Sequence, residues 1–194
     1  VKLIAVEGID GAGKTTLIKS ITPHLHNIIK LNTIQTPGGT EAGSAIRSLV
    51  KSSDIDISSN SMPYLFIADM WNTWDFIIKP TIDEPIYHIT DRWWMSTLVY
   101  QSIPVSIVTS IPTPDLILFL DIHPHIAHER ALARGTADNK DRFDNKGVDY
   151  FYRLRDRYKE VFRMDCLRDK VKTIYMNRPL EECIEEAMKN ILAL

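Results

Sequence analysis

Cysteine is scarce in this chain. Of 194 residues only Cys166 and Cys183 carry thiols, and they have no metal-ligand spacing. A reducing, cytoplasmic compartment is the simplest expectation. Long apolar runs are missing too, so no segment reads as a bilayer-spanning helix. The opening Val-Lys-Leu-Ile-Ala-Val reads as a core strand rather than a signal peptide. Net charge is only −2, which gives no bulk pull toward nucleic acid. Repeats, low complexity and linkers are absent, so one domain is expected over residues 1–194. Arginine is rare through most of the chain: the first 129 residues hold only Arg47 and Arg92. Further on, Arg153, Arg155, Arg157 and Lys159 alternate with apolar and acidic residues, which predicts a solvated helix face.

What is present starts at residue 8. Gly8 to Thr16 read Gly-Ile-Asp-Gly-Ala-Gly-Lys-Thr-Thr and match the phosphate-binding pattern G-x-x-x-x-G-K-[ST]. An apolar run, Leu3 to Glu7, precedes it, and a helix start follows. In that context Gly8, Gly11, Ala12 and Gly13 let backbone N–H groups point at phosphate oxygens. The helix N-terminus adds partial positive charge. Lys14 is expected on the β/γ-phosphates, and Thr15 is expected to offer its hydroxyl to Mg²⁺.

Hydrophobic content of 44% and charged content of 25% suit a globular α/β domain. Near-continuous apolar or β-branched runs fall at 3–7, 31–35, 86–90, 116–120 and 171–175, as in strands buried on both faces. Helical patterns fall between them, at 14–26, 41–51, 64–78, 96–101, 124–134, 148–162 and 180–192. This alternation predicts a three-layer α/β/α fold of the P-loop NTPase type around a five-stranded parallel sheet. Two segments, Ser52 to Ser61 and Gly135 to Gly147, are predicted to be mobile. The second is poor in apolar residues and carries cations, as a lid over phosphates would.

A phosphate loop alone admits kinases, GTPase switches and motor ATPases. The guanine-reading Asn-Lys-x-Asp is missing: residues 139–142 and 145–148 both fail it. Other segments resemble the thymidylate kinase family. Residues 36–49 contain Pro-Gly-Gly-Thr followed by Ile-Arg-Ser-Leu. Residues 91–101 read Asp-Arg-Trp-Trp-Met-Ser-Thr-Leu-Val-Tyr-Gln. Residues 114–121 resemble the family's fourth strand, and Arg130 to Gly135 with Asp141-Arg142-Phe143 resemble its lid.

The resemblance implies transfer of the ATP γ-phosphate to dTMP or a like acceptor. It places Arg47 and Arg92 on the acceptor phosphate, where a planar fork binds two oxygens at once. It places Asp10 on the sugar 3′-hydroxyl, Tyr100 against C2′ of a deoxyribose, and Phe66 against the base. Ser96 and Thr97 are expected at the base edge, and the small turn from Pro37 to Thr40 lets substrate approach closely. Asp91 is expected to hold Mg²⁺ through water. Position 11 is Gly, so the loop has no arginine of its own, and Arg134 and Arg142 of the lid are expected to supply cations, with Arg130 nearer the adenine. Two positions depart from the family: Met70 stands where an arginine usually contacts the base, and Gln35-Thr36 replaces Arg-Glu. A kinase for dUMP or a 5-substituted dUMP is thus one alternative, and a nucleotide-dependent switch is another. Trp71, Trp74 and Phe76 give the third helix enough bulk for the family's homodimer interface.

Overall fold

A computed structural model describes residues 1–52, 54–133 and 147–194, together with the backbone of 134 and 135. Five strands form one parallel sheet: β1 Lys2–Glu7, β2 Lys30–Gln35, β3 Ile86–Asp91, β4 Leu116–Asp121 and β5 Val171–Tyr175, in the order β2-β3-β1-β4-β5. Parallel neighbours need crossover connections, and helices supply them. Seven α-helices lie among the described residues: α1 Lys14–His26, α2 Glu41–Lys51, α3 Met62–Thr73, α4 Trp94–Gln101, α5 Pro124–Gly135, α6 Val148–Val161 and α7 Leu180–Leu192. α1 packs on α7, while α6 packs on α4 and α5.

Strand burial follows strand position. All six residues of β4 and five of six in β1 are buried, because helices cover these central strands. β2 and β5 lie at the edges and are less covered, with two buried residues in β2 and one in β5. The chain leaves β1 toward β2 on one side and later returns to β4 on the other. The carboxyl end of β1 is therefore the point where strand order reverses, the usual crevice for ligands in such sheets. The phosphate loop occupies that point. Gly11 there has φ +80°, and a Cβ on it would lie 2.2 Å from the Ala127 carbonyl oxygen of α5. Loop and helix thus touch backbone to backbone.

The third helical segment differs from the predicted 64–78. α3 ends at Thr73 and continues as a π-helical turn, Trp74–Ile78. Trp71 and Trp74 lean on the core, whereas Phe76 is 73% exposed. The solvated face predicted for α6 holds at exposed Arg153 and Lys159 and is corrected at half-buried Arg155 and Arg157. Arg155 donates twice to Asp121, at 2.5 and 2.8 Å, and Lys159 stands 3.7 Å from the same carboxylate. Asp121 is 4% exposed at the end of β4, so it demands these partners. Arg157 donates to the Leu98 carbonyl and the Ser102 hydroxyl, satisfying the carboxyl end of α4. The tyrosine between them, Tyr158, is fully buried against Phe119 and Phe162.

Removing Arg155 leaves Asp121 buried with one distant cation. Arg155→Ala is expected to lower the unfolding free energy by about 2–3 kcal/mol, below the usual loss for a fully buried pair because the guanidinium is partly exposed. Urea unfolding at neutral pH measures this; a loss under about 0.5 kcal/mol, the scale of an ordinary surface change, would show the pair to be ornamental.

Candidate active site

A cavity of about 440 Å³ opens at the carboxyl ends of β1, β2 and β3. It is lined by Asp10, Lys14 and Thr15 of the phosphate loop and α1, by Gln35, Thr36 and Pro37 after β2, and by Arg47, Val50 and Lys51 of α2. Phe66, Asp69 and Met70 of α3 close one side, and Asp91, Arg92, Trp93, Ser96, Thr97, Tyr100 and Gln101 close the other. The fold therefore gathers one set of candidates into one place: Asp10, Lys14, Thr15, Pro37, Arg47, Phe66, Met70, Asp91, Arg92, Ser96, Thr97 and Tyr100.

On the loop side, Gly13 adopts a left-handed conformation at the start of α1, and no side chain caps the helix. Its first N–H groups remain available to an anion. Thr15 and Thr16 are exposed there. Lys14 is 7% exposed and donates to the Gly8 and Ile9 carbonyls at 3.0 Å each. Burial, and then Arg92, push its ammonium down to about 8, against the opposite pull of Asp10, Asp91 and Glu7. A polyphosphate beside it would favour the charged form. The Thr15 hydroxyl donates to Asp91 Oδ2 at 2.9 Å. Exposed Arg130 reaches the Gly11 carbonyl only at a long 3.5 Å.

Arg92 crosses the cavity. Its φ of 76° is left-handed, a conformation that costs a residue other than glycine about 1–2 kcal/mol. The turn brings the guanidinium into contact with the phosphate loop. Nη1 donates to the Gly8 carbonyl, the Ser96 hydroxyl and the Tyr158 hydroxyl at 3.0–3.2 Å. Nη2 pairs with Asp10 Oδ1 at 2.5 Å, and the cation lies 4.9 Å above the Tyr100 ring. Tyr100 donates to the other oxygen of Asp10 at 3.1 Å. Asp10, Arg92 and Tyr100 thus form one ion-paired cluster. Ser96 lines the cavity, and its hydroxyl donates inward to Glu7 Oε2 at 2.6 Å.

On the α2 and α3 side, the Thr40 hydroxyl caps α2 by accepting from the Gly43 N–H. Arg47 donates to the Pro37 carbonyl at 3.0 Å, which holds its guanidinium beside the Pro37–Thr40 turn. Asp69 accepts from the Gly38 N–H at 3.0 Å through Oδ1, while its buried Oδ2 has no partner among the described residues. Burial pushes the Asp69 carboxyl up to about 6, opposed by the Gly38 N–H and Arg47. Phe66 is half-buried and Met70 is 3% exposed. Arg142, the side chain of Arg134 and most of the expected lid lie outside the described residues.

Sequence reasoning passed over Glu7, Thr36, Asp69 and Tyr158. An acid closing an otherwise apolar strand was the one available signal for Glu7. The other three lack any local pattern, because their partners are far away in the chain.

A phosphate loop on a parallel α/β sheet, opening into a pocket with two further arginines, defines a P-loop kinase of small phosphorylated acceptors. The comparisons narrow this class. Residues 6–187 match the family model described as thymidylate kinase. A thymidylate kinase of Legionella pneumophila strain Corby is 30% identical over 206 residues, covering 98% of this chain and 93% of the relative. One from strain Paris is 29% identical with the same coverage. The chain belongs to the thymidylate kinase family, and so is a nucleoside monophosphate kinase. The family's reaction is ATP-dependent phosphorylation of dTMP to dTDP.

The raised pKa of Asp69 has a defined sign. The folded protein holds this proton more tightly than the unfolded chain does. Stability from the group is therefore full below the ordinary value of 3.8 and is lost as pH rises through about 6. Asp69→Asn cannot ionise, so the stability of the native protein relative to this variant is expected to fall between about pH 4 and pH 7. Urea midpoints across that range check it, and a constant difference would exclude a buried, reluctant carboxylate.

Proposed function

We propose that the cavity binds the acceptor nucleotide with its phosphate between Arg92 and Arg47, facing donor phosphates held by the loop from Gly8 to Thr16. The observation that carries this reading is that Lys14 and Arg92 line the same cavity. The acceptor phosphate is already anionic near pH 7, so the chemistry needs little base catalysis. It needs two polyanions held in line and charge neutralised as the phosphoryl group moves. Lys14 and the α1 N-terminus act on the donor side, and Arg92 and Arg47 on the acceptor side. Asp10 and Tyr100 stand beside Arg92, where a sugar attached to that phosphate would fall. Phe66, Met70 and Thr97 would meet the base.

Mg²⁺ fits the residues present. Two neighbouring ligands of an octahedral Mg²⁺ stand about 3 Å apart, and Thr15 Oγ1 and Asp91 Oδ2 are 2.9 Å apart. These residues would hold the ion directly or through water, and when bound it neutralises charge on the donor phosphates. A homodimer is supported by exposed Tyr64 and Phe76 along α3 and the π-helical turn. Two free cysteines accord with a reducing, cytoplasmic setting.

The acceptor assignment is tested by Arg92→Lys, which keeps the charge and loses the fork. Acceptor kcat/KM is expected to fall by about 10–100-fold, the scale of a lost charge-assisted hydrogen bond, with ATP binding little changed. Equal losses for both substrates would move Arg92 off the acceptor side.

A second reading, tolerance of dUMP or 5-substituted dUMP, rests on Met70. This side chain is buried at the cavity wall, and it offers no donor to a base carbonyl. An apolar pocket discriminates a methyl group by about 1–3 kcal/mol only. The native chain is expected to use dUMP and 5-hydroxymethyl-dUMP beside dTMP, and Met70→Arg to sharpen the preference for dTMP. A panel of kcat/KM values decides; strong native preference unaltered by the substitution would leave dTMP as the sole acceptor.

A further inference from the structure

Glu7 is fully buried at the end of β1, one residue before the phosphate loop, and has no part in the chemistry described above. Its two oxygens are nevertheless spent on the surroundings of one residue. Oε1 accepts from the Trp93 N–H at 2.7 Å, the first backbone donor after Arg92. Oε2 accepts from the Ser96 hydroxyl at 2.6 Å and the Tyr158 hydroxyl at 2.9 Å. Both hydroxyls in turn accept from Arg92 Nη1.

We propose that Glu7 is a positioning residue for Arg92, fixing both the left-handed backbone at that residue and the direction of its guanidinium. The inference rests on the reading of Arg92 as the acceptor-side arginine.

Two separate constraints meet in the carboxylate. A left-handed residue persists only where its neighbours over-determine it. Before Arg92 the backbone is held by the Arg92 N–H donating to the Val6 carbonyl, and the Thr36 hydroxyl is shared between the Asp91 and Arg92 carbonyls. After Arg92 the Trp93 N–H is held by Glu7. The second constraint is polarity. A hydroxyl has one proton. Ser96 and Tyr158 both lie within donor reach of Glu7 and 2.7 Å from each other, so the carboxylate takes at least one of their protons, directly or through the other hydroxyl, and lone pairs are left for the guanidinium. The carboxylate thus orders two hydroxyls into acceptors and transmits its charge to Arg92 without touching it.

This polarity separates positioning from mere packing. Glu7→Gln keeps the volume but brings an NH₂ group. If the amide faces the hydroxyls, they must accept from it, and their protons are left to each other, to the Gly8 carbonyl that Arg92 also uses, or to the Arg92 donors themselves. If it faces Trp93, two N–H groups collide. Either arrangement disturbs Arg92 without opening a cavity.

The test is a double-mutant cycle on the full chain, with ATP binding measured in the absence of acceptor. Glu7→Gln is expected to lower acceptor kcat/KM by about 10–100-fold, with ATP affinity changed by less than about threefold. In an Arg92→Lys background the same substitution is expected to cost less than about threefold, because its route of action is gone. Additive losses would overturn the proposal, as would equal losses for ATP and acceptor. Arg92→Lys with undiminished acceptor use would instead remove the acceptor assignment of Arg92, a different failure. Should Glu7→Gln not fold, Tyr158→Phe removes one of the two hydroxyls while keeping the ring. Coupling of that change to Arg92→Lys supports the ordering role, and independence refutes it.

Discussion

A charge taken out of water must meet a partner or give up its charge, and in this protein that demand organises the carboxyl edge of the sheet. Glu7 ends β1, Asp91 ends β3 and Asp121 ends β4. Each central strand thus delivers an acid to the rim. Every one of these acids has a partner in another element: Glu7 with Trp93, Ser96 and Tyr158, Asp91 with Thr15, and Asp121 with Arg155 and Lys159. The pairings tie the loop to β3, to α4 and to α6. The apolar core gives the sheet and helices their bulk. The polar rim fixes their registration around the candidate site.

Lys14 and Arg92 show how that rim stays charged while partly dry. Lys14 sits among carboxylates and an arginine; burial lowers its ammonium to about 8, so it stays mostly protonated near neutral pH, and a phosphate beside it would hold that charge more firmly. Arg92 is met on one side by Asp10 and Tyr100, and on the other by the Gly8 carbonyl and two hydroxyls. In the proposed complex an incoming phosphate would compete with Asp10 for the cation and would leave that carboxylate to a sugar hydroxyl. Binding in such a site is an exchange of partners rather than the filling of a void, so the acceptor need not first order a loose side chain.

The regular elements were legible because their causes are local. The limits of α1, α2, α7 and β5 coincide with the predicted ranges, which the local apolar pattern marks. The phosphate loop was legible for the same reason: its geometry is written in consecutive small residues. The π-helical turn after Thr73 was not, since Trp-Asp-Phe-Ile-Ile has no feature that separates it from an ordinary helical turn. Most of the polar rim was also hidden. Glu7 meets Ser96 and Tyr158 across 89 and 151 positions of sequence, and Asp121 meets Arg155 across 34. Such pairs leave no periodic trace. The arginines of α6 consequently read as a solvated face until the fold set a buried acid beneath one of them. The bond from Ser96 to Glu7 was hidden for the same reason, because that partner could not be seen from its own helix.

The contact between Gly11 and Ala127 bounds how this loop can be altered by evolution or by a protein engineer. A side chain at position 11 meets the peptide group of a helix, which cannot rotate aside as a side chain can. Variation at position 11 is thus inherited jointly with the placement of α5. A library randomising the loop alone would be purged at this position whatever the nucleotide, while one that also relaxes α5 around Ala127 could explore it.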